Sequence, residues 1–286
     1  MAFYQQNQYP NQFQNQRRSG GTFSNAAINR TFTFEDSFGG EQSATYAGIF
    51  AKVGYFMIIT FLGVAAFFYM HSYFGSHGYT VSSTIAEGYV VYSNEMAIMI
   101  GAWIITLIAG LVAAFAIKTI PVSGTIYCAG MGYAVAITSY IYAAQYSGIV
   151  VEALVLTILI IAAMAVLYYT GIVKVGEKFK TIVFTALIAS VIGGAIFGLL
   201  AWLAPNSTIV KSILKVQSGP LGILFAVLGV LLAAALLLID FDTIAEAVTN
   251  NVNKKYEWYC SYSLMLSVIL LYLKVLRLLA RLQNNK

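Results

Sequence analysis

Apolar residues along this chain come in long unbroken runs. From about residue 48 there are seven of them, near 48–70, 95–117, 123–145, 149–169, 181–204, 221–245 and 258–282. Most of the Lys residues collect in the stretches between and at the ends. A helix needs about 20 mostly apolar residues to cross the hydrocarbon core of a bilayer, so each run predicts one transmembrane helix. The predicted fold class is all-α, a polytopic integral membrane protein with seven transmembrane helices. The third and fourth segments are joined by the short "AQYSGIV", which predicts an antiparallel helical hairpin. No internal repeat of the kind that marks many secondary transporters is visible.

Ahead of the first segment the pattern changes. Residues 1–45 open with "FYQQNQYPNQFQNQRRSGG", rich in Gln and Asn and without periodicity. Such composition predicts a disordered tail, here cytoplasmic, preceding a membrane domain over 46–286. The stretch is too polar for a signal peptide, so the first segment is expected to act as an uncleaved anchor.

Composition strengthens the membrane reading. The chain is 59% hydrophobic and 9% charged over its 286 residues, against roughly 45–50% and about 25% in soluble domains. A net charge of +5 would suggest nucleic acid as a partner for a soluble protein. Here the basic residues sit in loops and tails and report topology. Arg17, Arg18, Arg30, Lys52, Lys118, Lys174, Lys178, Lys180, Lys254 and Lys255 fall on one side, ten in all. The other side has Lys211, Lys215, Arg277, Arg281 and Lys286. The expected location is a bacterial-type plasma membrane, with the N-terminus cytoplasmic and the C-terminus outside.

Little points to an enzyme. Cys128 and Cys260 lack metal-type spacing and read as small buried hydrophobes. His71 and His77 fall in the predicted outer loop without a metal-type partner set, and "VSGT" at 122–125 reads as a turn with no base nearby. No catalytic residue, metal site or resident cofactor is expected. Lys274 in the seventh segment invites comparison with a retinal-binding rhodopsin, but segment three has no carboxylate counter-ion.

The informative residues are charges inside or at the ends of the segments. "LLLIDFDTIAEAV", residues 236–248, places Asp240, Asp242 and Glu246 at the inner end of segment six. Asp240 and Asp242 are about 200° apart around a helix, so they cannot face one site. Asp242 and Glu246 share a face and read as edge charges, capped by lysines or solvated. Asp240 lies deeper, where burial strips its solvation and the helix C-terminus opposes its charge. It is either a protonation-sensitive ion contact or an acid held by Lys118 or Lys52. Glu257 starts segment seven at the same end. At the opposite end lie Glu95 and Glu152, toward which Lys274 and Arg277 rise. Ser263, Ser267, Lys274, Arg277 and Arg281 fall on one face of segment seven. Arg277 and Arg281 read as snorkelling to headgroups; Lys274, being deeper, is expected to pair with an acid or face a cavity.

These residues carry a resemblance. "LIDFDTIAEAV" followed by "KYEWYCSYSLMLSVILLYLKVLRLLARL" is similar to the last two helices of the Bax inhibitor-1/YccA-like family. "AQYSGIV", "LYYTGIVKVGEKFK" and "SGPLGI" resemble its middle region in the same order, from about residue 46 to 282. The resemblance implies a seven-helix bundle with the last helix central between two three-helix layers. It also implies a pH-sensitive calcium leak in which an aspartate ending helix six, here Asp240, pairs with one in helix seven near a basic residue of helix two. The second aspartate falls near Ser267, Lys274 stands where the family has an acid, and Met131 aligns with an acid often found in helix three. Calcium would then be a transient cargo. YccA-type members imply a second reading, a non-conducting modulator of a membrane-bound quality-control protease engaged by the tail.

Overall fold

The computed structural model describes residues 43–86, 89–204 and 207–284; most of the predicted 1–45 tail therefore lies outside the described residues. The chain order is α1 (Tyr46–Ser76), a hairpin of β1 (Val81–Ala86) and β2 (Tyr89–Tyr92), α2 (Ser93–Phe115), a 3-10 turn (Ile117–Thr119) and α3 (Ile120–Gln145). Then follow α4 (Ile149–Tyr169), α5 (Glu177–Leu203), α6 (Thr208–Ser218), α7 (Pro220–Thr249) and α8 (Tyr256–Asn284). Among the described residues, every α-helix except α6 is long and apolar enough to cross a membrane, giving the seven spans expected.

Local chemistry sets several of the helix ends. Thr45 caps α1 by accepting the Gly48 N–H at 3.0 Å, which satisfies one of the orphan donors of a first turn. Pro121 and Pro220 sit in the first turns of α3 and α7, where a missing N–H costs no hydrogen bond. Between α3 and α4, Gly148 adopts φ +79°. That left-handed conformation is open to glycine and lets "AQYSGIV" reverse the chain.

The helices form two layers of three. In one, α3 lies between α1 and α2; in the other, α7 lies between α4 and α5. α8 runs between the layers and packs against α1, α3, α4 and α7, the central position that the resemblance implied. Its Leu271, Val275 and Leu276 are fully buried among Ile49, Ile149, Ala153 and Leu237 of the surrounding helices. By contrast, Val183 is the buried residue of α5 among those described. A helix apolar all round and packed along one edge presents the rest to lipid.

Three local features depart from the expectation. α1 continues past residue 70 to Ser76, so His71 belongs to a helix and not to the loop. The segment before α2 is an antiparallel hairpin in which Val81 faces Tyr92 and Ala86 faces Tyr89. "VSGT" lies within α3 and is not a turn; the Ser123 hydroxyl donates to Thr119 O at 3.0 Å. Cys128 and Cys260 are both buried free thiols.

Candidate functional site

Asp240 sits nine residues before the C-terminal end of α7, about 14 Å along the axis at 1.5 Å per residue. A helix of 30 residues is about 45 Å long, against a hydrocarbon core of about 30 Å. A centred α7 therefore carries Asp240 inside the hydrocarbon edge. Its side chain turns toward α8 and is buried, 5% exposed. Oδ1 accepts a hydrogen bond from Ser263 Oγ at 2.5 Å. Ser267, one turn further along α8, also faces the carboxylate. Oδ2 has no hydrogen-bond partner among the described residues. Tyr259 and Cys260 of α8 are titratable side chains close enough to feel its charge.

The other two acids of α7 point away, as the 100° helical step requires. Asp242 Oδ2 pairs with Lys180 Nζ of α5 at 2.6 Å, and Glu246 Oε2 lies 3.8 Å from the same nitrogen. Tyr168 of α4 donates to Asp242 Oδ1 at 3.4 Å. Glu246 is 65% exposed, but the closer pair is half-buried, with Lys180 15% and Asp242 24% exposed. Replacing Lys180 with methionine is expected to lower stability by about 1–3 kcal/mol, between the loss of an exposed pair and that of a buried one, read as a fall in unfolding temperature in detergent.

Neither lysine proposed as the counter-charge of Asp240 reaches it. Lys52 of α1 is bound to Oε2 of Glu257, the second residue of α8. The same carboxylate accepts the Thr45 N–H at 2.9 Å and the Thr45 hydroxyl at 3.2 Å through Oε1. Glu257 is fully buried, and its three donors explain how an acid survives there. Lys118 stands exposed in the 3-10 turn.

At the opposite end Glu95 is fully buried at the start of α2. It does not meet Lys274 or Arg277. Its Oε1 bonds His71 Nδ1 of α1 at 2.6 Å, and its Oε2 accepts the Tyr92 N–H at 2.9 Å. Tyr140 of α3 contacts the other imidazole nitrogen at 3.2 Å. The cluster thus ties the hairpin and three helices together. Glu152 of α4 accepts from Gln283 of α8 at 3.3 Å.

With this arrangement in place, the comparison with known families is decisive. A family model described as Bax inhibitor 1 like matches residues 3–284. The chain belongs to the Bax inhibitor 1 like family. No curated protein and no solved structure matches it.

In this Bax inhibitor 1 like protein, the position that the resemblance assigns to a second aspartate is filled by a serine hydroxyl facing Asp240. Met131 is buried in an apolar cluster with Phe56, Cys128 and Tyr262, so α3 brings no acid to that point. Sequence reasoning missed His71 as the partner of Glu95 and Lys180 as the partner of Asp242. The signal for the first lay in "YMHSYF", where aromatic residues carry the helical pattern past residue 70. Among the described residues no three His, Cys, Asp or Glu side chains gather as metal ligands.

Proposed function

We propose that the protein provides a cation leak path through the membrane, with calcium as cargo, and that the protonation state of Asp240 governs it. The observation that carries this reading is the buried Asp240 carboxylate between α7 and α8, with one oxygen on Ser263 and the other unpartnered. An ionisable group inside a span marks an ion or proton path by default. One carboxylate with serine hydroxyls is a set of hard oxygen donors suited to calcium. It is also far short of the six to eight oxygens of a resident calcium site, which suits passage more than storage.

The test is calcium entry into liposomes carrying the purified protein and an enclosed indicator, followed from mildly acidic to mildly basic pH. Entry above that of empty liposomes, varying with pH, is expected. Asp240→Asn removes the titrating proton and should flatten that dependence. Flux equal to empty liposomes at every pH refutes the reading.

One observation favours the second reading, a regulator of a membrane protease. Ala44 N–H bonds Val252 O at 2.7 Å, and Thr45 is held by Glu257. The chain leading in from residues 1–42 is therefore anchored beside α8, at the same end of the bundle as Asp240. Deleting residues 2–42 separates the two readings: a regulator loses its protease on co-purification, whereas a leak path keeps its flux.

A further inference from the structure

We propose that the face of α8 bearing Lys274, Arg277 and Arg281, together with the N-terminal half of α7 that it crosses, binds the phosphate of an anionic phospholipid headgroup. Spacings of three and four residues put the three cations on one helical face. α7 and α8 run antiparallel here, and the contacts are in step over two turns. The Lys274 side chain lies along the bare backbone of α7 at Gly229, where an added Cβ would stand 3.3 Å from its Cδ and 3.8 Å from its Nζ. Seven residues further along α8, Arg281 donates Nη1 to Gly222 O, seven residues back on α7. Arg277 is exposed between them.

The charge balance of this face points to a ligand. Among the described residues, the charges that act on Lys274 include Arg277 and Arg281, both of its own sign. Of the acids that sequence reasoning offered at this end, Glu95 is held by His71, and Glu152 accepts from the neutral amide of Gln283; among the described residues neither forms an ion pair with Lys274. Lys274 lies ten residues, about 15 Å, before Asn284 at the end of α8, deeper than the two arginines. An unpaired lysine at the centre of a span costs about 2.5–3.5 kcal/mol on insertion scales. An anionic headgroup reached from the interface reduces such a cost.

A phosphodiester has the matching chemistry. Lysine stems run along apolar surface and lift their ammonium toward the interface. The planar guanidinium of an arginine forms paired hydrogen bonds with phosphate oxygens, and basic pockets between transmembrane helices hold anionic headgroups. The first turn of α7, at Pro220, adds its positive dipole end to the same region. Lys211 and Lys215 are carried by α6, which packs on α7.

The experiment uses the full chain in detergent, with phosphatidylglycerol, phosphatidylcholine or inorganic phosphate added. Lipid retention is read by native mass spectrometry and stability by thermal unfolding. Phosphatidylglycerol should be retained in preference to phosphatidylcholine and should raise the unfolding temperature, while phosphate alone should not. Arg277→Gln, at an exposed position that leaves the fold intact, should weaken the preference roughly tenfold, the strength of one hydrogen bond to a charged group. Lys274→Met with Arg277→Gln should abolish it, with Arg281 kept for its bond to α7. Equal retention of the two lipids, an equal shift with phosphate alone, or an undiminished preference in Arg277→Gln overturns the proposal.

Discussion

Replacing Glu257 with alanine is expected to destabilise the bundle by about 3–5 kcal/mol, the range for removing one partner of a buried ion pair. Three donors lose their acceptor at once: the Lys52 ammonium, the Thr45 N–H and the Thr45 hydroxyl. Glu257 has no exposed side-chain surface whereas Lys52 keeps 17%. The orphaned lysine can therefore recover some hydration, which places the loss toward the lower end. Glu257→Gln retains an acceptor for Thr45 and should fall between the variant and the parent. A double-mutant cycle with Lys52→Met isolates the pair, measured by denaturation in mixed micelles. Additive losses from the two substitutions, with no coupling between them, contradict the pairing.

How much of this was legible in advance depends on which contacts are local. The separation of Asp240 from Asp242 and Glu246 follows from a helical step of about 100° per residue, and the structure has that division. The identity of their partners does not follow. Lys180 reaches Asp242 because α5 and α7 are neighbours, and neighbourhood among apolar helices is not written in a hydropathy pattern. Lys52 was a plausible mate for Asp240 by depth alone, yet Glu257 of the central helix takes it. The serine stripe of α8 was visible as Ser263 and Ser267 on one face, and that face is the one presented to Asp240.

The spans themselves were legible because lipid demands long apolar runs and internally satisfied backbone. Elements outside that demand were overlooked. "VSSTIAEGYVVY" has the β-branched and aromatic content of a hairpin around Glu-Gly, but it is short and sits between two strong helical signals. "TIVKSILKVQS" is too short to span and carries lysines on an otherwise apolar repeat, the pattern of a helix lying on a surface. In both, the periodicity was present and the flanking hydropathy obscured it. The central place of α8 came from the family resemblance, since long apolar segments of similar length do not rank themselves by burial.

Gly63 and Gly132 show why α1 and α3 pack as they do, and they define the second large effect. A Cβ on Gly63 would fall on the Ala129 carbonyl oxygen of α3, and one on Gly132 would fall on the Thr60 carbonyl oxygen of α1. The obstacles are backbone atoms, so no rotamer change relieves them; the helices must separate. Small residues at such crossings are what allow close packing in a bilayer, where there is no hydrophobic drive between helices. Leucine at either position should therefore cost at least the upper part of the roughly 1–3 kcal/mol range for overpacking. The damage should extend to Phe56 and Phe67 of α1, both fully buried against α3. Gly54 on the same helix is the control, since nothing lies within 4 Å of its added Cβ. Unfolding temperature and monodispersity in detergent should fall sharply for Gly63→Leu and Gly132→Leu and little for Gly54→Leu. An equal response at Gly54 removes the basis for the close crossing. Because either leucine opens the same gap, the double variant should lose less than the sum of the two single losses.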